Sequence, residues 1–422
     1  MNLKSDFSKN VLILMTGTTI AQAIPLAISP ILTRIYTPED FGVFALFIAI
    51  FSIFASIANG RYEMAIMLPK KDEDAINIFI LGLFLTTSLS LFLLLVIILF
   101  NSNIVSVLNN EAIGVWLYFI PFTVFITGVF NALNFFNNRR KKYKDIANAI
   151  VIKSVVLSVF QLAIGFLKSG AMGLILGHLI AQFFANMRLL KNIVEDKKLL
   201  LSINKKKVMI LAKKYKNFPK FSLPAILASV LSNHLTNILI SSLFTVVTLG
   251  FYSLVLKVLD MPSSLIAKSI GQVFFQEATI QKNETGIANI IFVSTMKKLF
   301  LIGFPIFLIL FLVSEELFVI VFGEDWKVAG EYAKIVMPLF FIRFVVTTLS
   351  ATYDIFAHLK VEFIWQLVLL LGTLFIVYIS YITNIEFKVF LIYLTAYTSI
   401  MQVLSLYIMY KISLGEDKYS DK

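Results

Sequence analysis

The sequence contains no cysteine and only three histidines, and Lys, Arg, Asp and Glu together make up just 15% of its 422 residues. Soluble domains carry about 25% charged residues, so a surface facing water on all sides is excluded. Without cysteine there is no disulfide framework, no thiolate zinc site and no thiol catalysis. His178, His234 and His358 fall in different segments without ligand spacing, so no metal site is expected. No P-loop occurs, which excludes ATP hydrolysis by that route. What the chain has in quantity is apolar: 59% hydrophobic residues, including 41 Phe, with Leu and Ile in long runs. A soluble enzyme is ruled out.

A helix crossing the ~30 Å hydrocarbon core needs about 20 mostly apolar residues. Twelve such stretches can be read: 11–33, 41–62, 76–100, 113–136, 146–167, 170–189, 219–242, 248–270, 290–313, 329–351, 363–383 and 387–409. Ten-residue alternation, the mark of a membrane barrel, is missing. The expected class is an all-α integral membrane protein with twelve transmembrane helices. With a cytosolic N-terminus, 29 of the 37 basic residues fall in inside segments and five outside (Arg34, Lys168, Lys327, Lys334, Lys388). That asymmetry follows the positive-inside rule, and an even number of crossings puts both termini in the cytosol. Ala21-Gln22-Ala23 resembles a signal-peptide cleavage site, but the apolar run continues to about Leu32, so the first span reads as uncleaved.

One stretch recurs. Phe41-Gly42-Val43-Phe44-Ala45-Leu46 follows Tyr36-Thr37, and Leu249-Gly250-Phe251-Tyr252-Ser253-Leu254 follows Phe244-Thr245, with identical spacing and an offset of 208 residues. Six spans per half leave both halves in the same orientation, so the repeats are parallel. They are then two six-helix lobes related by a pseudo-two-fold axis along the membrane normal, with binding expected between them. The expected organisation is an N-terminal lobe 1–190, a basic cytosolic linker 191–218 and a C-terminal lobe 219–422 with a cytosolic tail. Lys205, Lys206, Lys207, Lys213, Lys214 and Lys216 flank Val208-Met209-Ile210-Leu211, the pattern of an interfacial amphipathic helix on anionic lipid. Positive-inside bias accounts for this charge, and nucleic-acid binding is not expected. Pro25 and Pro30 in the first span, with Pro219 and Pro224 in the seventh, are expected to bend those helices. Gly173-x3-Gly177 signals close helix packing.

Chemistry is signalled most clearly by charges inside the spans. A charge at mid-membrane costs about 2.5–3.5 kcal/mol on insertion scales, so it faces a cavity or a partner. Lys153, Lys257 and Arg343 lie within spans, and Arg34 and Arg61 at span ends. Asp260 is the one acid well inside a span, with Glu63 near an end. An interior rich in Lys and Arg favours an anion, and phosphate suits both side chains. Other readings stand beside this one: Lys257 and Asp260 are spaced to neutralise each other on one helix face, and Lys153 is placed to snorkel. His178 and His234 are candidates for proton movement or for interhelical hydrogen bonds. Asp72-Glu73-Asp74 is similar to the metal–nucleotide triplet of many glycosyltransferases. It sits in a short charged loop with no nucleotide-binding domain, and reads as solvated.

The run Leu32-Thr33-Arg34-Ile35-Tyr36-Thr37-Pro38-Glu39-Asp40-Phe41-Gly42, followed by Arg61-Tyr62-Glu63-Met64-Ala65-Ile66, resembles the opening helices of one group of membrane proteins. These are the polysaccharide-biosynthesis proteins of the multidrug/oligosaccharidyl-lipid/polysaccharide exporter superfamily, specifically the Wzx-type flippases. Twelve spans, a basic central loop and two lobes extend the likeness over the chain at the level of pattern. The resemblance implies a V-shaped pair of lobes in the bacterial cytoplasmic (inner) membrane. Such a protein moves polyprenyl-pyrophosphate-linked oligosaccharide from the inner to the outer leaflet for O-antigen, capsule or exopolysaccharide, and is not an enzyme. It also implies a cationic cavity, for which Arg343, Lys257, Lys153, Arg34 and Arg61 are the candidates by charge and depth. No cofactor is implied. Coupling to protons or sodium would fall to Asp260, Glu63, His178 or His234. Expected partners are membrane lipids and the polymerase and chain-length regulator of the same pathway. The alternatives are a cation-coupled drug exporter, which needs an acidic cavity, a polymerase or ligase, which needs a large outer loop, and a lipid II flippase, which usually has fourteen spans.

Overall fold

The computed structural model describes residues 3–167 and 170–415; Lys168, Lys418 and Lys422, counted above, lie outside them. The described residues form helices joined by short turns and divide into two compact units, Met1–Gly250 and Phe251–Lys422.

The first unit opens with α1 (Leu3–Ala27), which carries Pro25, and α2 (Ser29–Ile35) beyond a break at Ile28. Proline removes one backbone donor, which deprives the Ala21 carbonyl of its helical partner; at the break itself Ser29 Oγ donates to the Pro25 carbonyl at 2.7 Å. α3 (Pro38–Ile57) begins at a capping box. Asp40 N–H donates to Thr37 Oγ1 (3.2 Å), Thr37 N–H donates to the Asp40 carboxylate (2.9 Å), and Pro38 occupies the first turn. Reciprocal capping of this kind satisfies two otherwise orphaned donors. The segment that carries the family resemblance is thus, locally, a helix start. Tyr36 just before it donates its hydroxyl to the Gln161 carbonyl (2.6 Å), and a Cβ on Gly165 or Gly173 would strike the same hydroxyl.

After α4 (Tyr62–Ala65), α5 (Asp72–Leu108) runs for 37 residues, about 56 Å at 1.5 Å per residue, and so projects beyond the hydrocarbon. α6 (Gly114–Leu117) leads to α7 (Ile120–Arg139), and α8 (Tyr143–Gly165) packs along α9 (Met172–Val194). A Cβ on Gly177 would meet Gln161, which is the close packing expected of that glycine. α10 (Lys197–Leu201) and α11 (Lys205–Lys214) cross one end of the unit. Leu199 and Leu211 are buried in a core with Ile76, Phe79 and Phe136, while Leu201, Met209 and Ile210 stay exposed among lysines. Asn77 fixes the crossing, donating to the Ser202 carbonyl (3.1 Å) and accepting from Asn204 N–H (2.8 Å). The Asp72-Glu73-Asp74 triplet has a structural use here: Asp72 pairs with Arg139 (2.8 Å) and Glu73 with Lys207 (3.9 Å).

A π-helical turn, Phe218–Ser222, leads into α12 (Leu223–Leu243), which packs against α3. α13 (Val246–Pro262) starts at Thr245, whose Oγ1 accepts from Thr248 N–H (3.0 Å), so both copies of the repeated motif cap a helix with threonine. Within the first unit the two motif glycines meet. A Cβ on Gly42 would strike the Val246 carbonyl, and one on Gly250 would strike the Pro38 carbonyl. The offset of 208 that relates Gly42 to Gly250 also relates Pro38 to Val246, so the contact is reciprocal.

The second unit holds the rest of α13, a π-helical turn Ser263–Ala267, α14 (Lys268–Thr285) and α15 (Asn289–Phe322). α16 (Lys327–Leu349), α17 (Ala351–Ile355), α18 (Leu359–Thr383) and α19 (Phe387–Ser413) follow. Aromatic rings pack in its core and on its surface: Trp326 is fully buried edge-on to Phe251, and the half-buried Phe341 lies 5.3–6.1 Å from buried Phe307 and from exposed Phe300 and Phe304. Backbone ties close the ends, as where Ala288 N–H donates to the Ser413 carbonyl at 2.8 Å.

Among the described residues ten helices are long and apolar enough to cross a membrane, and a pair bent by 42°, Phe218–Ser232 with His234–Leu243, makes an eleventh. The all-helical membrane class is therefore as expected. The remaining expected stretch, 248–270, corresponds to α13, which has only 17 residues before the helix changes pitch. The sequence explains the interruption, since Lys257, Asp260 and Pro262 break the apolar run. Overpacking at a tight contact typically costs about 1–3 kcal/mol, whereas alanine for glycine inside a helix gains about 0.5–1 kcal/mol. Gly42→Ala is therefore expected to lower the melting temperature in detergent. Gly271→Ala, whose added Cβ would have its nearest neighbour at 3.5 Å, is expected to hold or raise it. Equal melting temperatures would remove the glycine crossing as a constraint.

Candidate functional site

In the first unit the structure brings Lys153 and His178 together. Lys153 projects from α8 with its Nζ 5.7 Å from the Phe130 ring centre, and it makes no ion pair among the described residues. His178 on α9 feels the Lys153 charge and lies against two rings of α3, Phe51 at 5.3 Å and Phe44 at 6.3 Å. An ammonium amid rings draws on cation–π attraction, which is weaker than a carboxylate partner.

His178 belongs to a stripe. Gln182 and Asn186 follow it at four-residue steps on α9, which stacks all three on one face. Both are buried. Asn186 donates to the Ile126 carbonyl (2.8 Å), but its Oδ1 and both amide atoms of Gln182 have no protein partner. Thr127 and Ser158 contribute further unpartnered buried hydroxyls on the neighbouring helices α7 and α8. Inside a membrane such atoms require water or a ligand. Sequence reasoning passed over Gln182 and Asn186, although the spacing His-x3-Gln-x3-Asn within an apolar span was a readable signal.

The other first-unit candidates lie elsewhere. Arg34 donates to the Pro30 carbonyl (2.6 Å), closing the last turn of α2. Arg61 has a left-handed backbone (φ 64°) and follows Gly60 in the same region (φ 60°), a reversal that turns its guanidinium back. There Arg61 pairs with Glu63 (3.1 Å) and donates to Ser222 Oγ (3.2 Å). Glu63 is 4% exposed and its Oε2 has no partner. Burial pushes its carboxyl above the ordinary value, against the opposing pull of its own backbone hydrogen bond and of Arg61. His234 lies on α12, with its Nδ1 unpartnered.

In the second unit Arg343 and Asp260 come together from different helices. Arg343 stands well inside α16 with its guanidinium 5.3 Å from the Phe340 ring centre. Asp260 on α13 lies in its field, as does the buried hydroxyl of Tyr252. Asp260 thus has an attractive charge across the helix interface, in addition to the local spacing with Lys257 read from sequence. Lys257 and Asp260 are both exposed on α13. No group of three or more His, Asp or Glu suited to a metal ion occurs among the described residues.

Long apolar helices define a multi-pass integral membrane protein, and its fold is shared with several solved membrane proteins. The chain matches an inward-facing multidrug resistance MATE family transporter of the MOP superfamily with a TM-score of 0.70, 14% identity, and 96% of each chain covered. It matches the lipid II flippase MurJ in an inward closed conformation with a TM-score of 0.73, 13% identity, and 97% and 94% covered. A MOP superfamily transporter from Pyrococcus furiosus, described by a reverse polarity of its binding pocket, matches with a TM-score of 0.60, 14% identity, and 95% and 94% covered. No curated protein matches the sequence significantly. Residues 31–331 match the family described as polysaccharide biosynthesis protein, and the chain belongs to that family.

Glu63 gives a test with a definite sign. A carboxyl whose folded value is raised binds its proton more tightly when folded, so stability falls as pH rises from the unfolded value of 4.5 through the raised one. Wild-type melting temperature is expected to decline across that window. Glu63→Gln keeps an acceptor for Arg61 but cannot ionise, and its profile should be flatter. Parallel melting profiles for the two proteins would mean that Glu63 does not sense burial.

Proposed function

We propose that this protein is a flippase for polyprenyl-pyrophosphate-linked oligosaccharide units in the bacterial cytoplasmic membrane, working by alternating access. The observation that carries the reading is the sign of the charge within the helices. Within the spans three cations, Lys153, Lys257 and Arg343, outnumber a single acid, Asp260, in a chain that belongs to a polysaccharide biosynthesis family. Cations at that depth suit a passenger bearing phosphate, because Lys and Arg can replace the water that pyrophosphate loses on entering the membrane. The polyprenyl tail would stay in lipid throughout. Asp260 beside Arg343 supplies an internal counter-charge for the empty state, which an arriving phosphate would displace. The same carboxylate, with Glu63, His178 and His234, offers a route for coupling to protons or sodium.

The positive-inside distribution supports cytosolic termini, and the proposed transport runs from the inner to the outer leaflet. O-antigen, capsule or exopolysaccharide assembly are the pathways this transport would serve, with the polymerase and chain-length regulator acting on the exported units. A drug exporter of the same fold would carry cations and would need an interior of the opposite sign.

Arg343→Ala is expected to reduce surface polysaccharide at least tenfold, the ratio for about 1.4 kcal/mol, while membrane insertion remains normal. Arg343→Lys should retain part of the activity, since it keeps the charge but loses the bidentate fork. Wild-type polysaccharide in the alanine variant would overturn the role of Arg343. Drug resistance on overexpression, with unchanged glycan in a deletion strain, would overturn the flippase reading.

A further inference from the structure

The second unit contains a cavity of about 480 Å³ lined by Phe311 and Glu315 of α15, Glu331, Lys334 and Ile335 of α16, and Lys388 of α19. None of these residues belongs to the cation set discussed above. Two ion pairs cross the cavity wall: Lys334 Nζ to Glu315 (3.1 Å) and Lys388 Nζ to Glu331 (2.6 Å). All four side chains are partly open, between 29% and 52% exposed, and the Lys334 ammonium also lies 6.0 Å from the Phe311 ring centre. The lining thus balances two carboxylates, Glu315 and Glu331, against two ammonium groups, Lys334 and Lys388, and Lys388 also feels the field of Glu315.

The depth of the cavity identifies its surroundings. α15 has 34 residues, about 51 Å at 1.5 Å per residue, against a hydrocarbon core of ~30 Å. Its ends therefore reach the headgroup layers. Glu315 lies seven residues before the helix ends at Phe322, about 10 Å from that end. Below it, Leu308 and Leu312 are exposed along the same helix, continuing the apolar side of the cavity towards the hydrocarbon.

From this arrangement we infer a binding site for the headgroup of a zwitterionic aminophospholipid, of the phosphatidylethanolamine type. A phosphodiester would accept from Lys334 and Lys388, and a primary ammonium would donate to Glu315 and Glu331, each replacing one member of an existing pair. Such charge-assisted hydrogen bonds are the strong ones. The acyl chains would run along Phe311, Leu308 and Leu312. The chemistry selects among lipids: a choline headgroup has no N–H to donate, and a glycerol headgroup brings a phosphate for the lysines but no ammonium to replace them on Glu315 and Glu331.

The test uses full-length protein exchanged into mixed micelles with equimolar phosphatidylethanolamine, phosphatidylcholine and phosphatidylglycerol of matched chains, with retained lipid read by native mass spectrometry. Phosphatidylethanolamine is expected to be retained about tenfold over phosphatidylcholine, the effect of losing hydrogen bonds to a charged group. Glu315→Gln/Glu331→Gln should erase that preference, while Glu316→Gln, altering the exposed neighbour on α15, should keep it. Equal retention of the two lipids by the wild-type protein overturns the site without recourse to any variant. Preference for phosphatidylglycerol, or a preference that survives the double substitution, does the same.

Discussion

Lipid cannot hydrogen-bond, and that constraint organises the molecule. Every backbone donor and acceptor must be satisfied within the chain, which forces helices, and every charge that enters the apolar layer must be matched by another group. Where the chain reverses, threonine, asparagine and arginine supply the missing partners: Thr37 and Thr245 at helix starts, Asn77 at the linker crossing, Arg139 across the carbonyls of Ile66, Met67 and Pro69. The polar residues of the two ends are thus mostly spoken for by architecture, and those remaining in the interior are few enough to be informative.

Much of this was legible in the sequence. Helical class followed from the apolar runs, and the doubled motif was visible as spacing before its glycines were seen to touch. The span 248–270 was harder to read, because hydropathy averages over a window and blurs the place where Lys257, Asp260 and Pro262 change the course of the helix. Pairings across helices could not be read at all. Arg61 and Glu63 were candidates as separate charges, yet a left-handed turn makes them partners. Arg343 seemed solitary because Asp260 is distant in sequence while lying in its field. Gln182 and Asn186 were overlooked because neutral amides carry little weight when charge is the search criterion.

The interior polar groups of the two units differ in kind. The first offers a lysine matched by an aromatic ring and not by a carboxylate, beside histidine and a ladder of amides, a setting that recruits water. The second offers an arginine, an aspartate and a phenol, whose balance changes with any added charge. Under the function proposed above, the first setting would serve as a hydrated path for a headgroup and the second as an internal ion pair that opens to a phosphate.

The reciprocal meeting of Gly42 and Gly250 has an evolutionary consequence. A contact built from the same motif on both sides cannot be altered in one copy alone: a bulkier residue at either position presses on the helix start that the other copy presents. The two halves of the sequence are then free to drift apart everywhere except where they touch. Divergence after duplication should leave this small patch as the fossil of the original symmetry, even when the rest of the repeat has faded below recognition.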